Sequence, residues 1–165
     1  MTIFLIISTC LLIICALMGF VVLFKRKQFI TFSVEKDFKA QFKRCFYTPY
    51  ILSIIECSLS LLSFVLIWCD CGFNGKLNET SEIWGPCLLG GAVIGFVIGL
   101  IYWKKIKEPF FINNFKDEFD KYTKEVQDMW VQTRVSYHEM ATIENFLCPL
   151  YSLGSLLGIL LSYLL

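Results

Sequence analysis

The sequence predicts an all-α membrane protein with four transmembrane helices and an amphipathic helical connection between spans three and four. Four apolar runs occupy residues 2–24, 50–68, 84–103 and 145–165. Each run has about 19 to 23 residues, which at roughly 1.5 Å of rise per residue matches the roughly 30 Å hydrocarbon core of a bilayer. Three of the four runs carry no charged side chain. We therefore expect one four-helix domain over residues 1–165, because the stretches between the spans are too short for separate soluble domains.

The first span is expected to be retained. Residues 1–24 contain no charged side chain, and Lys25, Arg26 and Lys27 follow them directly. A secretory signal peptide has the opposite arrangement, with positive charge before a shorter apolar run. The charge cluster after the run is instead typical of a helix that stops in the membrane.

The distribution of charge predicts which connections share a side of the membrane. The first connection, residues 25–49, has seven basic residues against two acidic ones, and the third opens with Lys104, Lys105 and Lys107. By the positive-inside rule, connections one and three face the cytoplasm, or the matrix in a mitochondrion. Both termini then lie on the opposite, non-cytoplasmic or non-matrix side. A mitochondrial inner membrane and an endomembrane fit this pattern equally well.

Three cysteines, Cys69, Cys71 and Cys87, bracket the second connection on the predicted outer side. Because that side permits oxidation, a disulfide from Cys87 to either of the other two is our preferred interpretation. Free thiols are the alternative, and a metal site is weaker because paired ligand spacing and a nearby histidine are lacking. Free cysteine behaves as a small apolar residue, and we expect that role for the cysteines in or at the ends of spans: Cys10, Cys15, Cys57 and Cys148.

The second connection also contains Asn78-Glu79-Thr80, the acceptor pattern for N-glycosylation. Chance produces this tripeptide often. Only a membrane of the secretory pathway would allow its use, so the pattern depends on the compartment.

A polar stripe runs along span two. Ser53, Glu56, Ser60 and Ser63 are spaced by three and four residues and therefore share one helical face. A carboxylate inside a bilayer costs several kcal/mol unless it is protonated, paired or reached by water. We expect this face to point into the bundle or toward a partner. Interhelical hydrogen bonding is the preferred role, and a proton or ion relay through Glu56 is the alternative.

Small residues recur at every fourth position in spans three and four. They are Gly91, Gly95 and Gly99 in span three, broadened by Gly90, and Gly154, Gly158 and Ser162 in span four. Such spacing makes a groove along one helix face that lets two backbones approach closely. The pattern predicts helix packing without saying which helices meet.

The third connection is predicted to form an amphipathic helix over about residues 113–142, with Asn113 or Asn114 as its cap. An apolar stripe with heptad-like spacing marks one face: Phe115, Phe119, Tyr122, Val126 and Met129. The stripe must be buried on the first connection, on the bilayer surface or on another protein. The first connection itself, which mixes phenylalanines with basic residues, is suited to anionic lipid headgroups.

Catalytic patterns are missing from the sequence. His138-Glu139 lacks the second histidine of a metalloprotease motif, since Thr142 occupies that position. Cys45 and Cys148 have no identifiable base nearby in the sequence. We therefore expect no enzyme activity, no cofactor, no metal and no nucleic-acid partner.

The function predicted from these features is that of a non-enzymatic accessory or assembly subunit of a larger membrane protein complex. Its partners would be other membrane protein subunits, reached through the glycine-lined faces and the amphipathic helix, and lipid. The alternative is a small proton- or ion-conducting membrane protein that uses Glu56.

Overall fold

The computed structural model describes residues 3–29, 40, 43–74, 77–119 and 124–164, and every described element is helical. Within these ranges the side chains of residues 74, 77–81, 114–119, 125–127, 129–135 and 163 are not described. The helices, in chain order, are α1 Ile3–Phe24, α2 Thr48–Asn74, α3 Leu77–Tyr102, α4 Glu108–Phe119 and α5 Lys124–Leu164.

Four of these helical stretches are long and apolar enough to cross a membrane: Ile3–Phe24, Lys43–Phe73, Glu82–Asn113 and Ser136–Ser162. The prediction of four spans is therefore confirmed at the level of length and composition. Helices α2, α3 and α5 are longer than their apolar runs because backbone hydrogen bonds continue a helix wherever side chains permit it, whatever their hydropathy.

Two single π-helical turns precede prolines. Lys43–Tyr47 leads into α2, whose second residue is Pro49, and Trp103–Lys107 joins α3 to α4, whose second residue is Pro109. A proline ring clashes with the carbonyl four residues earlier, and widening the helix by one residue is a known way to accommodate it. The chain therefore passes from α3 into α4 without leaving the helical conformation.

The predicted amphipathic helix over residues 113–142 differs from the observed elements. Asn113 lies inside α4 and does not cap its start. The π-helical turn Trp103–Lys107 keeps the chain helical up to Pro109, so α4 already begins at Glu108. The later part of the predicted helix belongs to α5, a helix of 41 residues that includes span four. The amphipathic character of this segment stays a prediction, because the side chains of the stripe are not described. The stripe residues are Phe115, Phe119, Tyr122, Val126 and Met129.

Helix α5 is the hub of the bundle. It contacts α1, α2 and α3, and its contact with α3 is the most extensive one in the described part of the chain. Helices α1 and α2 also pack on each other, whereas α2 and α3 contact only sparsely. The architecture is a cluster of α1, α2 and α5, with α3 packed mainly on α5.

The glycines of spans three and four pack against each other's helices. A Cβ atom on Gly95 would lie 2.7 Å from the Cα of Leu147, and one on Gly99 would lie 2.8 Å from the Cα of Ile143. Gly91 and Gly154 face one another across the same contact. As residue numbers increase along α3, the residue numbers of the facing positions in α5 decrease, so the two helices run antiparallel.

This pairing changes one part of the sequence interpretation. The glycine faces of α3 and α5 are used within the chain, because Gly158 also lies against Trp84 of α3, with a built Cβ 2.8 Å from the Trp84 Cα. Gly90, which we expected to broaden the surface, is exposed and would have open space around a Cβ. In the structure these glycines therefore serve packing within the chain, and their contact with a partner subunit stays a prediction.

Helix α1 approaches α5 through a different pair. A Cβ on Gly19 would overlap the ring of Pro149, so glycine is required for this closeness. Pro149 lies inside α5. Proline within a transmembrane helix is tolerated where neighbouring helices and side chains compensate for the lost backbone bond.

Candidate functional site

The polar stripe of α2 is buried between helices. Ser53, Glu56 and Ser63 have no exposed surface, and Ser60 is 8% exposed. Lipid offers no hydrogen bonds to such groups, so the helix turns this face inward. Of the two orientations that the sequence left open, the structure has the stripe inside the chain's own bundle.

Polar residues from α1 and α5 surround the stripe. On α1 the thiol of Cys15 lies 3.4 Å from the Ser60 hydroxyl oxygen and 3.7 Å from the backbone carbonyl oxygen of Glu56. We define the polar seam as the stripe together with the buried serine, cysteine and asparagine residues of the two helices that pack on α2: Ser8 and Cys15 of α1, and Asn145, Cys148, Ser152 and Ser155 of α5.

The α5 members of the seam follow the spacing of one helical face, at three or four residues apart. Asn145 joins the seam to the start of α2, because its Nδ2 atom donates to the Pro49 carbonyl at 3.0 Å and to the Ala141 carbonyl at 2.7 Å. The seam thus lies along the contact between α2 and the hub helix.

Glu56 is the chemically distinctive member of the seam. Both of its carboxyl oxygens are buried and have no hydrogen-bond partner among the described residues. The neighbouring serines do not serve it, since Ser53 donates to the Tyr50 carbonyl at 2.8 Å and Ser63 to the Leu59 carbonyl at 2.7 Å. A buried polar group without a partner costs about 1–3 kcal/mol, and a charged one costs more. The buried carboxyl of Glu56 therefore lowers the stability of the fold.

Two cysteines of the seam meet across the α2–α5 contact. The sulfur atoms of Cys57 and Cys148 are 3.4 Å apart. Cys148 is 2% exposed, and Cys57 is half-buried. The sequence predicted each as a separate small apolar residue. Their meeting follows from which helices are neighbours, and apolar runs carry no signal for that.

A buried lysine at the basic end of the bundle was also missed by sequence reasoning. Lys107 is 5% exposed, and its ammonium group donates to the carbonyl oxygens of Phe29 at 2.7 Å and Cys45 at 2.8 Å. It also lies 5.0 Å from the centre of the Phe46 ring. The sequence indicates it only as one of the lysines that orient the protein in the membrane. In the structure it links the segments after α1, before α2 and after α3.

Replacing Lys107 by methionine tests this link. Lys107→Met keeps most of the length but leaves two buried carbonyls without their donor, so we expect the free energy of unfolding to fall by about 1.5–3 kcal/mol. Chemical denaturation of the purified protein in detergent micelles measures the change. Lys105→Met is the matched control, because Lys105 is exposed. Equal unfolding midpoints for the two variants would contradict the structural role.

A small cavity of about 30 Å³ adjoins Lys107 and Asn145. That volume is enough for a water molecule. Its other walls are mainly apolar side chains, among them Val22, Leu23 and Phe146. The cavity offers space for hydration of this end of the seam.

The predicted outer disulfide is not formed in the structure, in which Cys69, Cys71 and Cys87 are free thiols. Cys87 lies against Gly158 of α5, with its Cβ 3.2 Å from the position of a built glycine Cβ. It belongs to the α3–α5 contact, and α3 meets α2 only sparsely. The pairing of Cys87 with Cys69 or Cys71 stays a prediction.

His138 packs between aromatic rings. Its ring centre lies 5.1 Å from that of Phe46 and 5.7 Å from that of Phe111. No group of three or more His, Cys, Asp or Glu side chains able to hold a metal occurs among the described residues. The Asn78 side chain and residues 30–39, 41 and 42 of the first connection lie outside the described part, so the glycosylation and headgroup predictions stay open.

Comparison of the chain with protein-family models, with curated proteins and with solved structures finds no match. The class of protein is therefore defined by the fold alone. Four apolar helices of membrane-spanning length indicate a multi-pass integral membrane protein.

Proposed function

We propose that this protein is a non-enzymatic accessory or assembly subunit of a larger membrane protein complex. The observation that carries the proposal is the form of α5. It is a single helix of 41 residues that contacts the other three spans. The stretch able to cross the membrane is Ser136–Ser162, and residues 124–135 precede it with roughly 18 Å of further helix.

Such a helix joins two tasks. The membrane-spanning part of α5 contacts the other spans of the bundle, and residues 124–135 extend beyond the bilayer as a surface that a second protein can bind. Tyr137 and Met140, which are 56% and 62% exposed, lie on the described part near the junction. The apolar stripe predicted from the sequence adds Phe115, Phe119, Tyr122, Val126 and Met129. We assign this stripe, rather than the glycine faces, to the partner.

Charge in the stripe tests the assignment. Val126→Asp places a carboxylate where an apolar partner surface would pack, so we expect loss of co-purifying membrane proteins while the isolated chain keeps its unfolding midpoint. Asp128→Asn, two residues away and exposed, is the control and should keep the partners. Co-purification from mildly solubilised membranes measures both. Retention of the same partners by Val126→Asp would remove the stripe from the interface.

The proposed orientation follows the basic connections, with the start of α5 and the end of α3 on the cytoplasmic or matrix side and both termini on the other side. An endomembrane and the mitochondrial inner membrane remain the two proposed locations. The phenylalanine-rich basic connection supports contact with anionic headgroups on the same side.

Cysteine labelling at two exposed positions tests the orientation. Phe73 is 80% exposed near the end of α2, and Lys105 is exposed after α3. A membrane-impermeant maleimide added to sealed vesicles from the cytoplasmic or matrix side should label Lys105→Cys and spare Phe73→Cys. The reverse pattern would invert the topology. The native cysteines serve poorly for this test because Cys45 and Cys71 are buried.

A second candidate function is conduction of protons or another ion. It is favoured by the Glu56 carboxyl, whose two oxygens are buried without a partner inside a seam of polar side chains. An intramembrane carboxyl in that state is typical of proton relays as well as of helix packing. Proton flux through liposomes containing the purified protein separates the two candidates.

A further inference from the structure

The thiols of Cys57 and Cys148 join two helices at the level of Glu56. Cys57 follows Glu56 directly in α2, and Cys148 lies on the hub helix α5. Their sulfur atoms are separated by 3.4 Å, although 91 positions separate them in the chain. We propose that the two form an oxidisable dithiol, which closes to a disulfide and fixes α2 to α5 beside the polar seam. This inference does not depend on either candidate function.

The geometry needs little movement. A disulfide bond is about 2.05 Å long, so the sulfur atoms must approach by roughly 1.4 Å from their present separation. Each sulfur is the terminal atom of a side chain with one rotatable bond, and Cys57 is only half-buried. By contrast, the Cys15 sulfur is engaged with Ser60 and with the backbone of Glu56.

The chemistry balances with a peroxide as the oxidant. The Cys57 sulfur, the more accessible of the two, loses its proton and attacks one peroxide oxygen, forming a sulfenic acid and releasing water. The Cys148 thiol then attacks the Cys57 sulfur, the S–S bond forms and the sulfenic oxygen leaves as a second water. Two thiols and one hydrogen peroxide thus give one disulfide and two waters, and two electrons pass from sulfur to oxygen.

The consequence is a covalent tie within the seam. Reduced, α2 and α5 are held by packing and by the Asn145 contact to Pro49. Oxidised, the helices are fixed to each other next to Glu56, so movement of α2 relative to the hub is restricted. A thiol reductant reverses the tie by exchange.

Hydrogen peroxide treatment of the wild-type protein in lipid nanodiscs tests the proposal. Remaining thiols are alkylated under denaturing conditions, and a non-reducing digest is analysed by mass spectrometry. We expect a linked peptide pair containing Cys57 and Cys148, joint loss of their alkylated forms, and recovery of both after dithiothreitol. Cys15→Ser, which removes another buried thiol of the same seam, should leave the link intact, and Cys57→Ser should abolish it.

The wild-type arm needs no substitution, so a folding defect in a variant does not obscure the result. Full alkylation of both cysteines after peroxide would overturn the proposal. A link from either cysteine to a different partner, or only between two copies of the chain, would also overturn it.

Discussion

Glu56→Leu is expected to stabilise the isolated protein, although it removes the only charged residue of the four predicted apolar runs. The carboxyl is buried, and neither oxygen has a hydrogen-bond partner among the described residues. Leucine is similar in size and leaves no buried polar atom without a partner. We expect the free energy of unfolding in micelles to rise by about 1–3 kcal/mol. Glu56→Gln keeps a buried amide and should gain much less.

The matched control for this substitution is Ser58→Leu. Ser58 is exposed on the other side of α2, so the same leucine is introduced toward lipid, with little expected effect. A loss of stability in Glu56→Leu as large as that from a core truncation would show that the carboxyl has a partner that stabilises the fold.

The same residue separates the two candidate functions. A glutamine can form hydrogen bonds but cannot gain or lose a proton at neutral pH. If the protein is an accessory subunit, Glu56→Gln should assemble normally and leave the activity of the complex unchanged. Loss of proton flux in Glu56→Gln liposomes, with the fold intact, would instead establish conduction.

Gly95→Leu is expected to cause a large loss of stability through the contact between α3 and α5. A Cβ at this position meets the Leu147 Cα at 2.7 Å and the Phe146 carbonyl oxygen at 2.7 Å, and backbone atoms cannot move aside as a flexible side chain can. Overpacking costs about 1–3 kcal/mol where side chains yield, so roughly 3 kcal/mol or more is expected here. The helices must separate to admit the side chain.

Val93→Leu is the comparison for Gly95→Leu, since Val93 is 61% exposed on the outer face of α3. Denaturation of both variants in micelles, followed by tryptophan fluorescence, measures the difference. Indistinguishable midpoints would mean that the glycine contact between α3 and α5 contributes nothing to the fold.

Local pattern was sufficient for the four spans and for the burial of the polar stripe of α2. Apolar run length predicted the four spans because bilayer thickness imposes it, and the spacing of Ser53 and Glu56 predicted one polar face because lipid excludes such groups. The glycine spacing predicted close packing. It could not say that Gly91 meets Gly154, because small residues specify closeness without specifying the neighbour.

The rest required the topology in three dimensions. Lys107 follows a span, where a lysine is expected for orientation alone, and its burial depends on two carbonyls from distant segments. Sequence reasoning missed the continuity of α5 because the fourth apolar run begins only after Glu139 and Glu144. Charged residues do not interrupt backbone hydrogen bonds, so the helix continues through them. The Cys57–Cys148 contact depends on α2 lying beside α5.

Two-dimensional native electrophoresis of membranes that contain the wild-type protein tests the proposed function most directly. An accessory subunit is predicted to migrate in the first dimension with a complex much larger than the chain itself, and to separate from several different proteins in the second. Migration as a monomer or as an oligomer of this chain alone, together with proton flux that Glu56→Gln abolishes, would contradict the account.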